Sequence, residues 1–100
     1  MKKYVYVVQL ITEEGLPYST MVSINEDNTI DLVYNFFKEG KLLWSHYDEI
    51  QDPNHVIKSK NEFSTIIKSM VENESIQVWN ETSNRMYQSI ITITKTQLLD

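Results

Sequence analysis

The sequence predicts an α+β fold, an antiparallel sheet of about five strands with one or two helices packed on one face. Three observations lead there. Segments near both ends of the chain alternate with period 2 and are rich in β-branched and aromatic residues. One central segment carries an apolar stripe at helical spacing behind an N-terminal capping pair. No linker, repeat or low-complexity stretch divides the chain, so residues 1–100 read as a single globular domain. The expected order is β-β-α-β-α-β-β. The alternative, β-β-β-β-α-β-β, applies if Asn28–Glu39 is a strand rather than a helix.

Lys3–Ile11, KYVYVVQLI, places Tyr4, Tyr6, Val8 and Leu10 on one face and Val5, Val7 and Ile11 on the other. Apolar groups on both sides predict a central strand. Gly15 and Pro17 in TEEGLP supply a turn. Tyr18–Ile24 then alternates Tyr18, Thr20, Val22 and Ile24 against Ser19, Met21 and Ser23, the pattern of a half-buried strand paired with the first.

Asn28–Lys41, NTIDLVYNFFKEGK, is the ambiguous stretch. As a helix from Ile30 it gathers Asp31, Asn35, Lys38 and Glu39 into one ~100° polar arc. Ile30, Leu32, Val33, Tyr34, Phe36 and Phe37 fill the remainder. Asn28 or Thr29 is placed to cap the start, and Gly40 to close the end. As a strand, Ile30, Leu32, Tyr34 and Phe36 alternate well but Val33 and Phe37 intrude on the polar face, and KEGK becomes a hairpin turn. The helical reading leaves an apolar arc of ~200°, more than the ≳100° that seats a surface helix on one sheet. The excess requires cover, and a homodimer through the Ile30–Phe37 face is one way to supply it.

Lys41–Tyr47 reads as another strand and Asp48–His55 as a loop, since Pro53 keeps Asp52 out of helical angles. Ser59 and Glu62 form a capping-box pair ahead of Phe63, Ile66, Ile67, Met70 and Val71, which share one stripe. Ser75–Asn80 is a short strand. ETSN turns it into a last strand over Met86–Lys95, with Tyr87, Ile91 and Ile93 opposing Ile90, Thr92 and Thr94.

Composition narrows the function. Fourteen acidic side chains against nine basic give a net charge of −5, which disfavours direct nucleic-acid binding because phosphates require Lys and Arg. The chain has no cysteine, so no disulfide or thiolate site supports the fold, as suits a cytoplasmic protein. The apolar run after the basic Met1–Lys3 is too short for a membrane span and lacks a cleavage signal. Alanine is absent and Arg85 is the only arginine, a bias that points to a low-GC genome.

Chemistry-bearing motifs are sparse. His46 and His55, with Asp48, Glu49 and Asp52 between them, match no metal-ligand spacing. Gly15 and Gly40 make no phosphate loop, and no serine lies in a nucleophile turn. The sequence therefore predicts neither enzyme, metal nor cofactor. Eight Tyr and Trp residues, by contrast, favour contact with protein. Trp44 and Trp79 have polar strand neighbours and are the expected exposed ones. Trp44 and Tyr47 followed by Asp48, Glu49 and Asp52 form an aromatic centre with an acidic rim, and Glu26, Asp27 and Asp31 a second acidic group. The expectation is a small protein-binding inhibitor, of phage or mobile-element type, that occludes a basic site on a host protein. The alternatives are a self-associating assembly protein and a toxin-neutralising immunity protein.

Overall fold

The structure is a computed structural model that describes residues 3–11, 17–37, 41–46, 55–80 and 90–98. The elements in chain order are β1 (Tyr4–Ile11), β2 (Pro17–Ser23), α1 (Glu26–Phe36), β3 (Leu42–His46), β4 (Val56–Ile57), α2 (Lys60–Lys68), β5 (Ser75–Asn80) and β6 (Ile90–Gln97). Among the described residues the strands form one six-membered antiparallel sheet in the order β2-β1-β6-β5-β3-β4. This is the expected α+β arrangement with one addition. The two-residue β4, which follows the predicted loop, pairs Ile57 with Leu42 and Val56 with Leu43.

Of Asn28–Glu39, Asn28–Phe36 resolves as helix, which starts earlier than expected, while Lys38 and Glu39 lie outside the described residues. The cap is Asn25, not Asn28 or Thr29. Its side-chain oxygen accepts from the Asn28 N–H at 2.7 Å, and Glu26 and Asp27 occupy the first turn, where carboxylates meet the positive end of the helix dipole. Thr29 is fully buried and its hydroxyl donates to the Asn25 carbonyl. The helix stops at Phe36, ahead of Gly40, with Phe37 already outside helical angles. Gly40 lies outside the described residues. Sequence reasoning placed the start late because it looked for the first apolar residue, whereas a full polar turn precedes Ile30.

α2 begins as expected, with the Ser59 hydroxyl accepting from the Glu62 N–H at 3.1 Å. The Glu62 carboxylate reaches back one residue further than in a standard capping box and accepts from the Lys58 N–H. Phe63, Ile67 and Met70 are buried, but Val71 lies past the helix end and is exposed.

The registers place Tyr6 and Val8 of β1, Ile91 and Ile93 of β6, Ile76 and Val78 of β5, and Leu42 of β3 on one face. Both helices pack there, burying Ile30, Val33, Phe37, Phe63, Ile67 and Met70 in one cluster. Phe63 meets Tyr34 of α1 at a ring-centroid distance of 5.7 Å, one of the points where the two helices touch. At roughly 2 kcal/mol for each buried aliphatic or aromatic side chain, this layer is the main source of stability. β1 is a central strand, lying between β2 and β6. On β2 the apolar set is reversed from the sequence reading. Met21 and Ser23 turn to the helix side, while Val22 points away from it and is 62% exposed.

The opposite face is polar at its centre. Ser45, Gln77 and Thr92 lie side by side across β3, β5 and β6 and are all buried. Among the described residues the Ser45 and Thr92 hydroxyls find no hydrogen-bond partner.

Candidate functional site

Trp44 is the residue around which a candidate site is built. Strand alternation puts it on the helix side of β3, directly opposite Val78, where the indole packs against the core without being enclosed and lines the same clefts as Ile66 of α2. It is half-buried, as is Trp79, so neither tryptophan is as open as the polar neighbours suggested. The backbone fixes its surroundings. The Trp44 N–H donates to the His55 carbonyl at 2.9 Å, which brings His55 beside it at the start of β4. The His55 ring lies 4.9 Å from the indole at 34°, and the His46 ring, two residues along β3, meets it edge-on at 5.3 Å and 75°. Ring contacts of this geometry favour the observed orientation of the indole.

Trp44 and Ile66 together form a ridge between two open clefts. One, of about 260 Å³, continues past His46, Thr65, Ser69 and Glu74. The other, of about 380 Å³, continues past His55, Lys58 and Glu62. The two histidines thus line different clefts rather than converging. Among the described residues no group of three His, Cys, Asp or Glu side chains is placed to hold a metal ion.

Of the residues proposed from sequence to accompany Trp44, Tyr47, Asp48, Glu49 and Asp52 lie outside the described residues. The second acidic group is described, and it is separate. Glu26 sits beside β1, where it accepts from the Tyr6 hydroxyl at 3.3 Å, with β6 and β5 intervening before Trp44 is reached. Burial, reinforced by the Glu26 charge and this hydrogen bond, pushes the Tyr6 hydroxyl up to about 12. Asp31 pairs with Lys60 across the two helices, and that contact in turn raises the Lys60 ammonium above its ordinary value. Asp27 shares a cleft of about 380 Å³ with Lys68 and Lys95. Lys95 lies 4.9 Å from the centre of the Tyr4 ring and donates to the Met70 carbonyl at 3.0 Å. Glu26, Asp27 and Asp31 are therefore interleaved with lysines and do not form an uninterrupted carboxylate surface.

Sequence reasoning weighed His46 and His55 as metal ligands or acid–base groups, or as a strand-end and a loop residue, and missed their association with Trp44. The alternation Trp44-x-His46 was the available signal for one half of it. The contact with His55 depends on β4, which is too short to leave a periodic pattern.

The site defines the chain as a small α+β domain with an aromatic ridge at one end of its sheet, a class and not an identity. Compared with protein-family models, curated proteins and solved structures, the chain matches none. No helix among the described residues is long and apolar enough to cross a membrane.

Proposed function

We propose that this is a non-enzymatic protein-binding protein that uses the Trp44 ridge as the apolar centre of its contact. The observation that carries the reading is the half-buried indole, in ring contact with two imidazoles and flanked by two clefts, because interface hot spots are enriched in Trp and cluster in well-packed pockets. Glu62 and Glu74 on the cleft walls outnumber the one lysine there, Lys58, and with the net charge of −5 they favour a basic partner surface. On this reading the protein is an inhibitor that covers a basic site and excludes the site's own ligand. A cytoplasmic phage or mobile-element protein directed at a host defence enzyme fits the low-GC composition and the absence of cysteine. A toxin-neutralising immunity protein would work by the same physical means.

The test is capture of the partner from a lysate of the source cells with wild type and with Trp44→Ala, each first shown to be folded by circular dichroism. Loss of one specific protein with Trp44→Ala, and its retention with Trp79→Phe, is the expected result. Equal capture by both variants would remove Trp44 from the contact.

A further inference from the structure

A second surface lies at the opposite end of the sheet. β2 is the terminal strand, and among the described residues nothing pairs with its outer edge. Exposed edges in stable monomers are ordinarily protected by charge, by bulges or by brevity. Here Pro17–Ile24, PYSTMVSI, holds no charged residue. The one irregularity in its pairing with β1 is at the Pro17 end, between Leu10 and Ile11. The rest of the strand presents alternate N–H and C=O groups to a neighbour.

Apolar side chains flank this edge on both faces. On the helix side Met21 is 43% and Phe36 44% exposed, and they line one apolar cleft of about 380 Å³ with Leu32 above Val8 and Leu10. Away from the helices Val22 is 62% exposed; Ile24, just beyond the strand and 74% exposed, lines the cleft shared with Glu26 and Asp27. The homodimer face expected from sequence, Ile30–Phe37, is unavailable as a whole. Ile30, Val33 and Phe37 are buried within the chain, Leu32 and Tyr34 are half-buried, and Phe36 is the most exposed member of that face.

We propose that the chain forms a two-fold dimer in which β2 pairs antiparallel with β2 of a second copy. An axis normal to the sheet keeps both helix layers on the same side. Met21 and Phe36 of the two copies then meet above the seam, and the two Val22 side chains meet below it. The exposed parts of Met21, Val22, Ile24 and Phe36, backbone included, leave on the order of 400 Å² of surface per chain. Doubled, and with the remaining residues of the strand added, this approaches the ~1,000 Å² at which specific association becomes sustainable. A second copy fits better than a lone peptide strand, because only a partner with its own helix layer covers Phe36. The uncharged strand also sets no like charges against each other when it pairs with itself. The seam lies at the other end of the sheet from β3 and β4, so the proposal is independent of the Trp44 reading and leaves both Trp44 ridges free.

Sedimentation velocity or light scattering over a concentration series tests this with wild type, Val22→Lys, Thr20→Lys and Val71→Lys. All three positions are exposed, so the variants keep the fold, which circular dichroism verifies. Wild type is expected to approach twice the 11.8 kDa chain mass. Val22→Lys and Thr20→Lys should raise the dissociation constant at least tenfold, and Val71→Lys, at the far end of α2, should leave it within twofold. A wild type that stays monomeric at every concentration overturns the proposal. So does a dimer that is weakened equally by Val71→Lys, or by none of the three.

Discussion

Replacing Asn25 by Ala tests where α1 begins. The side chain of Asn25 accepts one hydrogen bond, from the Asn28 N–H at 2.7 Å, and truncation leaves that donor to water. Loss of an N-cap of this kind costs about 1 kcal/mol, within ~0.5–2. The Asn25 carbonyl keeps its bonds from the Ser23 and Thr29 hydroxyls in the variant, which holds the cost below the upper end. Asn28→Ala is the matched control. Asn28 is exposed and sits in the first turn with its side chain outside any helix cap, so its truncation should change stability by less than ~0.5 kcal/mol, with the better helix propensity of Ala acting in its favour. In a domain of this size 1 kcal/mol moves the thermal midpoint by roughly 4–8 °C. Thermal and urea unfolding followed by circular dichroism at 222 nm would read both variants. Should Asn28→Ala prove the more damaging, the helix starts where the sequence pattern placed it, and the account of its buried face from Thr29 onward is wrong.

Two other outcomes follow from the same structure. Because Tyr6 is neutral in the fold up to about 12 but ionises near 10 when unfolded, its contribution is intact below pH 10 and is lost as pH rises toward 12, on the order of 2 kcal/mol. Urea midpoints between pH 10 and 12 should therefore fall more steeply for wild type than for Tyr6→Phe, and parallel slopes would contradict the burial of this hydroxyl. Thr92→Val removes a buried hydroxyl that has no hydrogen-bond partner among the described residues while keeping the side-chain shape, so it should be neutral or stabilising by up to ~1 kcal/mol. A clear loss in the same urea assay would mean that the hydroxyl has a partner in solution.

Much of this fold was legible in the sequence, because its signals are periodic. The two-sided apolar pattern of Lys3–Ile11 marked a central strand, and Ser59 with Glu62 marked the start of α2 to the residue. What was not legible depended on contacts between distant segments. Which face of β2 meets the helices is set by pairing Met21 with Val8, and no local pattern records that choice. The wide apolar arc of α1 was visible, and so was the need to cover it. That α2 covers one flank through Phe63 and Tyr34, while Phe36 stays open, follows only from how the helices meet. The candidate site was half legible for the same reason. Trp44 was singled out as an aromatic centre, but its two imidazole neighbours come together only because a two-residue strand returns His55 to β3.

The central claim, that the Trp44 ridge is where this protein meets its partner, is tested most directly by site-specific photo-crosslinking. A photoreactive residue at Thr65, exposed on the cleft wall beside Trp44, is compared with one at Lys3, exposed on the far side of the sheet. The account predicts a covalent adduct to one and the same protein from Thr65, suppressed when Trp44→Ala is added, with no such adduct from Lys3. Adducts that form equally from both positions, or that survive Trp44→Ala unchanged, would contradict it.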